Sequence, residues 1–161
     1  MSIGNDPRSA ALERLNVFIG CWRVEALFPH APDKVETSDD ERASAVFEWA
    51  LDGQFLIQRT TPPQPAPESF AIISVDADGK RYSQHYFDSR GVVRMYAMAF
   101  DDGVWTLLRD RPDFSPLDFS QRFTGTFSED GAQIVGQWEL CRDAEHWEHD
   151  FDLTYTKVGE P

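Results

Sequence analysis

The side chains in this chain with chemistry beyond packing are four histidines, two cysteines and several arginines set among apolar residues. His149, in the run HWEHDFDLTY, is the imidazole best placed to meet a ligand, although a neutral imidazole also serves as an ordinary hydrogen-bonding group within a core. His146 lies three positions before it, on the opposite strand face, and neither H-x-H nor H-E-x-x-H occurs, so zinc-ligand spacing is lacking. His85 stands near a strand end beside Tyr86 and Asp88, with core and entrance readings both open. His30 and His146 fall in or beside loops. Arg94, alone or with Arg59 and Arg109, has the chemistry to receive an anionic head group, because a guanidinium in an apolar cavity needs an anion or polar partner. A strand-end position or an internal ion pair is the alternative for each.

A hydrolase needs a nucleophile, a base within reach and an orienting group. No G-x-S-x-G elbow is present, and the serines, acids and histidines show no constraining spacing. Glu48, Glu139, Glu148, Asp150 and Asp152 mostly alternate with aromatic residues, which predicts that they solvate an outer wall. The reading favours a binding protein over an enzyme, with a cavity isomerase or cyclase as the enzymatic alternative, since such sites need no recognisable motif.

These groups must be held by strands. One helix is predicted over 7–19, where Leu12, Leu15, Phe18 and Ile19 recur at helical spacing, Asp6 and Pro7 form the start and Gly20 the stop. From Trp22 onward the period becomes two. Segments of seven to ten residues alternate with Asp52-Gly53, Asp78-Gly79, Arg90-Gly91, Asp102-Gly103 and Asp130-Gly131, which read as tight turns between antiparallel neighbours. Two stretches break the rhythm: 29–42, acidic and read as a mobile loop, and 60–69, read as a stiff, partly polyproline connection. A meander of about ten strands escapes open edges if its first and last strands pair. The predicted fold is therefore all-β: one domain over 1–161, with an antiparallel up-and-down calycin or lipocalin-like barrel over about 20–158, capped by the helix. A β-sandwich is the competitor.

Parity then groups the residues that point inward. One face of the first strand carries Trp22, Val24, Ala26 and Phe28, and the inward sets of the later strands are Phe47, Trp49 and Leu51; Phe55, Ile57 and Arg59; Val92, Arg94, Tyr96 and Met98; Trp105, Leu107 and Arg109; Phe119, Gln121, Phe123 and Phe127; Ile134, Gly136, Trp138 and Leu140; and Trp147, His149, Phe151, Leu153 and Tyr155. The strands around 70–75 and 81–88 have no clear inward face.

Composition narrows the partners. With 15 Lys and Arg against 28 Asp and Glu the net charge is −13, which repels nucleic acid. Neither a secretory leader nor an apolar membrane span is evident, and Cys21 and Cys141 match no redox or metal motif, so two free thiols and a cytoplasmic location are expected.

The helix leading into FIGCW at 18–22, LDGQFLIQR at 51–59, YFDSRG at 86–91 and the closing GQWELCRDAEHWEHDFDLTYTKV at 136–158 resemble a bacterial group of uncharacterised lipocalin-like proteins, the DUF1579-type calycins, and more remotely the nitrobindin and fatty-acid-binding-protein barrels. The resemblance implies a cavity for a hydrophobic ligand. It also implies haem as a question, with His149 as the one position matching the nitrobindin axial ligand, although Arg23 to Leu27 departs from that family's glycine-rich continuation. The expected function is binding of a small hydrophobic or amphipathic molecule by Trp49, Arg94, Tyr96, Trp138, His149 and Tyr155, with no metal or cofactor unless haem binds. A barrel that serves only structure or protein interaction, including a homodimer, is the further alternative.

Overall fold

The computed structural model describes residues 6–29, 43–63 and 66–161. Residues 30–42 of the predicted loop at 29–42, and residues 64 and 65 of the proline-rich connection, lie outside the described residues.

Asp6 caps the first helix, α1 (Pro7–Arg14), by accepting from the Arg8 amide at 3.2 Å, and Pro7 fills the first turn, where its missing N–H is not needed. The helix is shorter than its periodicity predicts: Leu15–Phe18 tightens into a 3₁₀ turn. That turn drives Phe18 into the barrel, fully buried, while its carbonyl accepts from Trp22 Nε1 at 2.8 Å.

Ten strands follow: β1 (Gly20–Leu27), β2 (Ala43–Ala50), β3 (Phe55–Thr61), β4 (Ser69–Val75), β5 (Tyr82–Asp88), β6 (Val93–Asp101), β7 (Val104–Arg109), β8 (Ser120–Phe127), β9 (Gln133–Cys141) and β10 (Trp147–Gly159). Each pairs antiparallel with its chain neighbour, and β1 pairs with β10 from Cys21 opposite Gly159 to Leu27 opposite Asp152. The sheet is thus a closed barrel, and closure leaves no unpaired edge.

The lower end is plugged by α1. Ala11, Leu12 and Leu15 are buried there, and the Tyr82 hydroxyl donates to the Ala11 carbonyl at 2.7 Å. Gly79, at φ +73°, lets the β4–β5 turn lie against the helix start: a Cβ would sit 2.5 Å from the Pro7 backbone. Above the plug the lower half of the barrel is packed solid. The Phe18 ring lies 5.0–5.4 Å from Phe47, Phe100, Trp105 and Phe127, with Trp22 and Phe123 completing the layer. The two free thiols lie at opposite ends, Cys21 opposite Gly159 below and Cys141 opposite Trp147 above, too far apart to pair.

Three inward assignments change. In β3 the buried residues are Leu56 and Gln58, not Phe55, Ile57 and Arg59. Cross-strand partners share a face, and Gln58 stands opposite the inward Phe47. Leu51 leaves the β2 set for the following turn, where it is 75% exposed. In β10 a bulge intervenes: His149 pairs with Glu139 and Phe151 with Trp138, so Asp150 is an extra residue. One added residue reverses parity above it, and Trp147 and His149 consequently lie on the outer wall.

Candidate functional site

The inner wall changes character with height. Tyr155 on β10 packs against the aromatic layer, and along β3, β5, β6 and β8 the inward set also includes the polar side chains Gln58, Gln84, Tyr86, Arg94, Tyr96 and Gln121. These are the groups with which a barrel can address a ligand.

β6 presents Arg94 and Tyr96 two residues apart on its inward face, and β8 presents Gln121. The Arg94 Nη1 and the Tyr96 hydroxyl both donate to Gln121 Oε1, at 3.2 and 3.0 Å. Burial raises the Tyr96 phenol above its ordinary pKa, against the pull of the neighbouring Arg94. Trp138 on β9 closes this wall, its ring 5.7 Å from Tyr96 and 5.2 Å from Phe123. Arg94, Tyr96 and Trp138, predicted separately from strand parity, are therefore one cluster. Gln121 was legible as inward in β8; its role as the shared acceptor was not.

Arg94 also opens onto a cavity of about 370 Å³ at the upper rim. Val92, Phe119, Pro116 and Phe114 give it an apolar wall, and Arg109 and Asp118 give it charge. The Arg94 guanidinium lies 6.0 Å from the Phe119 ring and has no carboxylate partner among the described residues. Phe114, at 71% exposed, stands at the outer margin.

The other two arginines are already engaged. Arg109 is buried and paired with Asp113 through Nε at 2.9 Å and Nη2 at 3.0 Å, which realises the internal ion pair. The same carboxylate accepts from the Met95 and Ser115 amides, folding the loop after β7 against β6. Arg59 points outward, bound to Glu48 at 3.5 Å and lying 5.0 Å from the Phe70 ring.

Tyr155 is buried beside Gln58, whose Nε2 approaches its hydroxyl at 3.4 Å, and burial pushes the phenol up to about 12. Burial, joined by the hydrogen bond to Asp88 at 3.0 Å, likewise raises Tyr86 to about 12. Trp49 faces inward but at the helix end, where its Nε1 donates to Asn16 Oδ1 at 3.1 Å, away from the Arg94 cluster. His149 stands on the outer wall, 2.8 Å from Asp152 and half exposed. The inward parity on which a haem ligand at His149 depended is not the parity the strand adopts. Gln84 and Gln58 escaped sequence reading, because β5 showed no clear inward face and β3 was read in the opposite register.

Among the described residues no group of three or more His, Cys, Asp or Glu is arranged to hold a metal ion, and no helix is long and apolar enough to cross a membrane. The closed meander, plugged below and lined with polar groups above, defines a calycin or lipocalin-like barrel, an architecture consistent with ligand-cavity proteins in general. No family model and no curated protein sequence matches the chain. Among solved structures it is similar to the crystal structure of Rv2717c from M. tuberculosis, with a TM-score of 0.60 at 12% identity, over 92% of this chain and 97% of that one. Likeness at that identity is likeness of fold.

Proposed function

We propose that this protein is a non-catalytic binder of a small amphipathic anion, with the acid group held by Arg94 and the apolar part lying against Val92, Phe114 and Phe119. The observation that carries this reading is the half-buried Arg94 guanidinium, which faces a cavity and is matched by the neutral Gln121 amide, the Tyr96 hydroxyl and an aromatic ring, with no carboxylate paired to it among the described residues. A desolvated cation of this kind gains most from an anion, and charge-assisted hydrogen bonds to it are the strong ones. The fold and the FIGCW and LDGQFLIQR stretches support a place in the DUF1579-type calycin group, and the acidic composition supports a small-molecule ligand over nucleic acid.

Calorimetric titration with decanoate at neutral pH tests this directly. Binding is expected, and Arg94→Gln should weaken it about tenfold or more, the worth of a charge-assisted hydrogen bond. Absence of binding, or an unchanged affinity in the variant, removes the proposal. Mass spectrometry of the denatured protein after purification from cells would identify the ligand itself.

A further inference from the structure

The outer wall of the barrel is polar on one side and apolar on the other. Cross-strand partners share a face, so the registers arrange the outward side chains in rows. Over β8–β10 the rows run Arg122–Glu139–His149 and Thr124–Gln137–Asp152. Over β3–β6 they run Arg59–Phe70–Phe87–Val93 and, below it, Ile57–Ile72–His85–Met95. A third row, Ser74–Ser83–Ala97–Leu108, lies lower still and reaches β7. The apolar side chains of these rows remain at least partly exposed, and Met95 is 39% exposed. An antiparallel sheet with one face on the core ordinarily keeps its other face polar, so apolar residues outward on four adjacent strands point to a second burial.

Charge and shape say what covers this wall. In a chain with 28 acidic residues and a net charge of −13, no carboxylate stands in any of the three rows. At the β3 margin Arg59 is bound to Glu48 at 3.5 Å. A face that meets its own copy must be free of like charge, because each carboxylate in it would confront the same residues across the contact. A basic or neutral foreign partner sets no such condition. The wall also carries both halves of a fit. A hollow of about 400 Å³ opens beside Arg59, Phe70 and Phe87, and Met95, an unbranched side chain suited to filling irregular gaps, projects from β6. Four strands and three rows cover about 400 Å², roughly half of the 800 Å² or so that each partner gives to a standard interface, which leaves the remainder for a polar rim.

We propose that the outer wall of β3–β6 is the interface of a homodimer. Two copies pack face to face about a two-fold axis that runs along the strands, so β6 of each lies over β3 of the other and each Met95 reaches toward the opposite hollow. The contact stands apart from the anion site and does not rest on it.

Sedimentation velocity of the full chain, across about 1–100 μM, tests this in a range that brackets ordinary interface affinities. A dimer is expected, and Phe87→Glu and Met95→Lys should each raise its dissociation constant about a hundredfold or more, because each places like charges in a desolvated contact. Gln137→Glu, on the polar wall, should leave the dimer intact. Circular dichroism and the thermal midpoint check that each variant is folded, and Met95→Lys, at the more exposed position, carries the test if Phe87→Glu does not fold. A monomer at every concentration overturns the proposal, as a face reserved for a different protein or a lipid surface would give. A dimer indifferent to both substitutions, or one that Gln137→Glu disrupts equally, overturns it as well.

Discussion

Arg109 and Asp113 form a two-bond ion pair inside the protein, their side chains only 4% and 5% exposed. Four residues apart, they are joined by a chain reversal rather than by a helix, and the pair ties the loop beneath the candidate site to the Met95 amide on β6. Removing one member strands the other charge. Asp113→Ala should therefore cost about 3–5 kcal/mol of unfolding free energy, whereas replacing both residues with apolar ones of similar volume should cost much less than the sum of the two single changes. Urea denaturation of the two single variants and the double variant checks this.

Asp113 is also an acid-sensitive element. The Arg109 guanidinium holds its carboxyl well below the usual carboxylate range. A depressed folded-state pKa contributes stability that is complete above the unfolded value near 4 and is lost as pH falls toward the folded value. Stability measured by denaturant between pH 6 and about 2 should thus decline, and Asp113→Asn should show a shallower decline from a lower starting point. Parallel curves for the two proteins would contradict this assignment.

At the alkaline end the sign is opposite. Tyr155 is raised to about 12 by burial, so its contribution is intact below the ordinary tyrosine value of about 10 and disappears as pH rises from there through the folded value. Tyr155→Phe should flatten the loss of stability between pH 9 and about 12, although Tyr86 and Tyr96, also raised, will retain part of it. Unfolding curves followed by circular dichroism at several alkaline pH values report the difference.

Gly125 and Gly136 face each other across β8 and β9, and the Phe123 ring lies over both. A Cβ at Gly136 would come within 2.5 Å of that ring and 3.1 Å of the Leu153 carbonyl. Because Phe123 is itself locked between Trp105 and Trp138, it has little freedom to withdraw. Gly136→Ala should destabilise the barrel by about 1–3 kcal/mol through overpacking. A thermal midpoint within a degree of the parent would show that the ring can move aside.

His149 should matter little to either stability or ligand affinity. It is half exposed on the outer wall, and an exposed polar contact such as that with Asp152 contributes about 0–1 kcal/mol. His149→Ala should leave the decanoate titration unchanged. A large loss of affinity would place this residue in a site on the outer wall that the barrel interior does not share.

Alternation and turn chemistry in the sequence determined the strand count, the antiparallel order, the helix that leads into Trp22 and the inward faces of β6 through β9, because polar and apolar residues there separate cleanly by parity. Arg94, Tyr96 and Trp138 were legible for that reason. Tertiary structure alone decided three matters. β3 to β5 carry apolar residues on both faces, so only pairing with β2 shows that Gln58 and Gln84 face inward. The extra residue Asp150 reverses the upper part of β10 and sends His149 outside, since a period of two has no memory across an insertion. And the fate of each arginine rests on which acid the folded chain brings to it: Asp113 reaches Arg109, Glu48 reaches Arg59, and no described carboxylate pairs with Arg94.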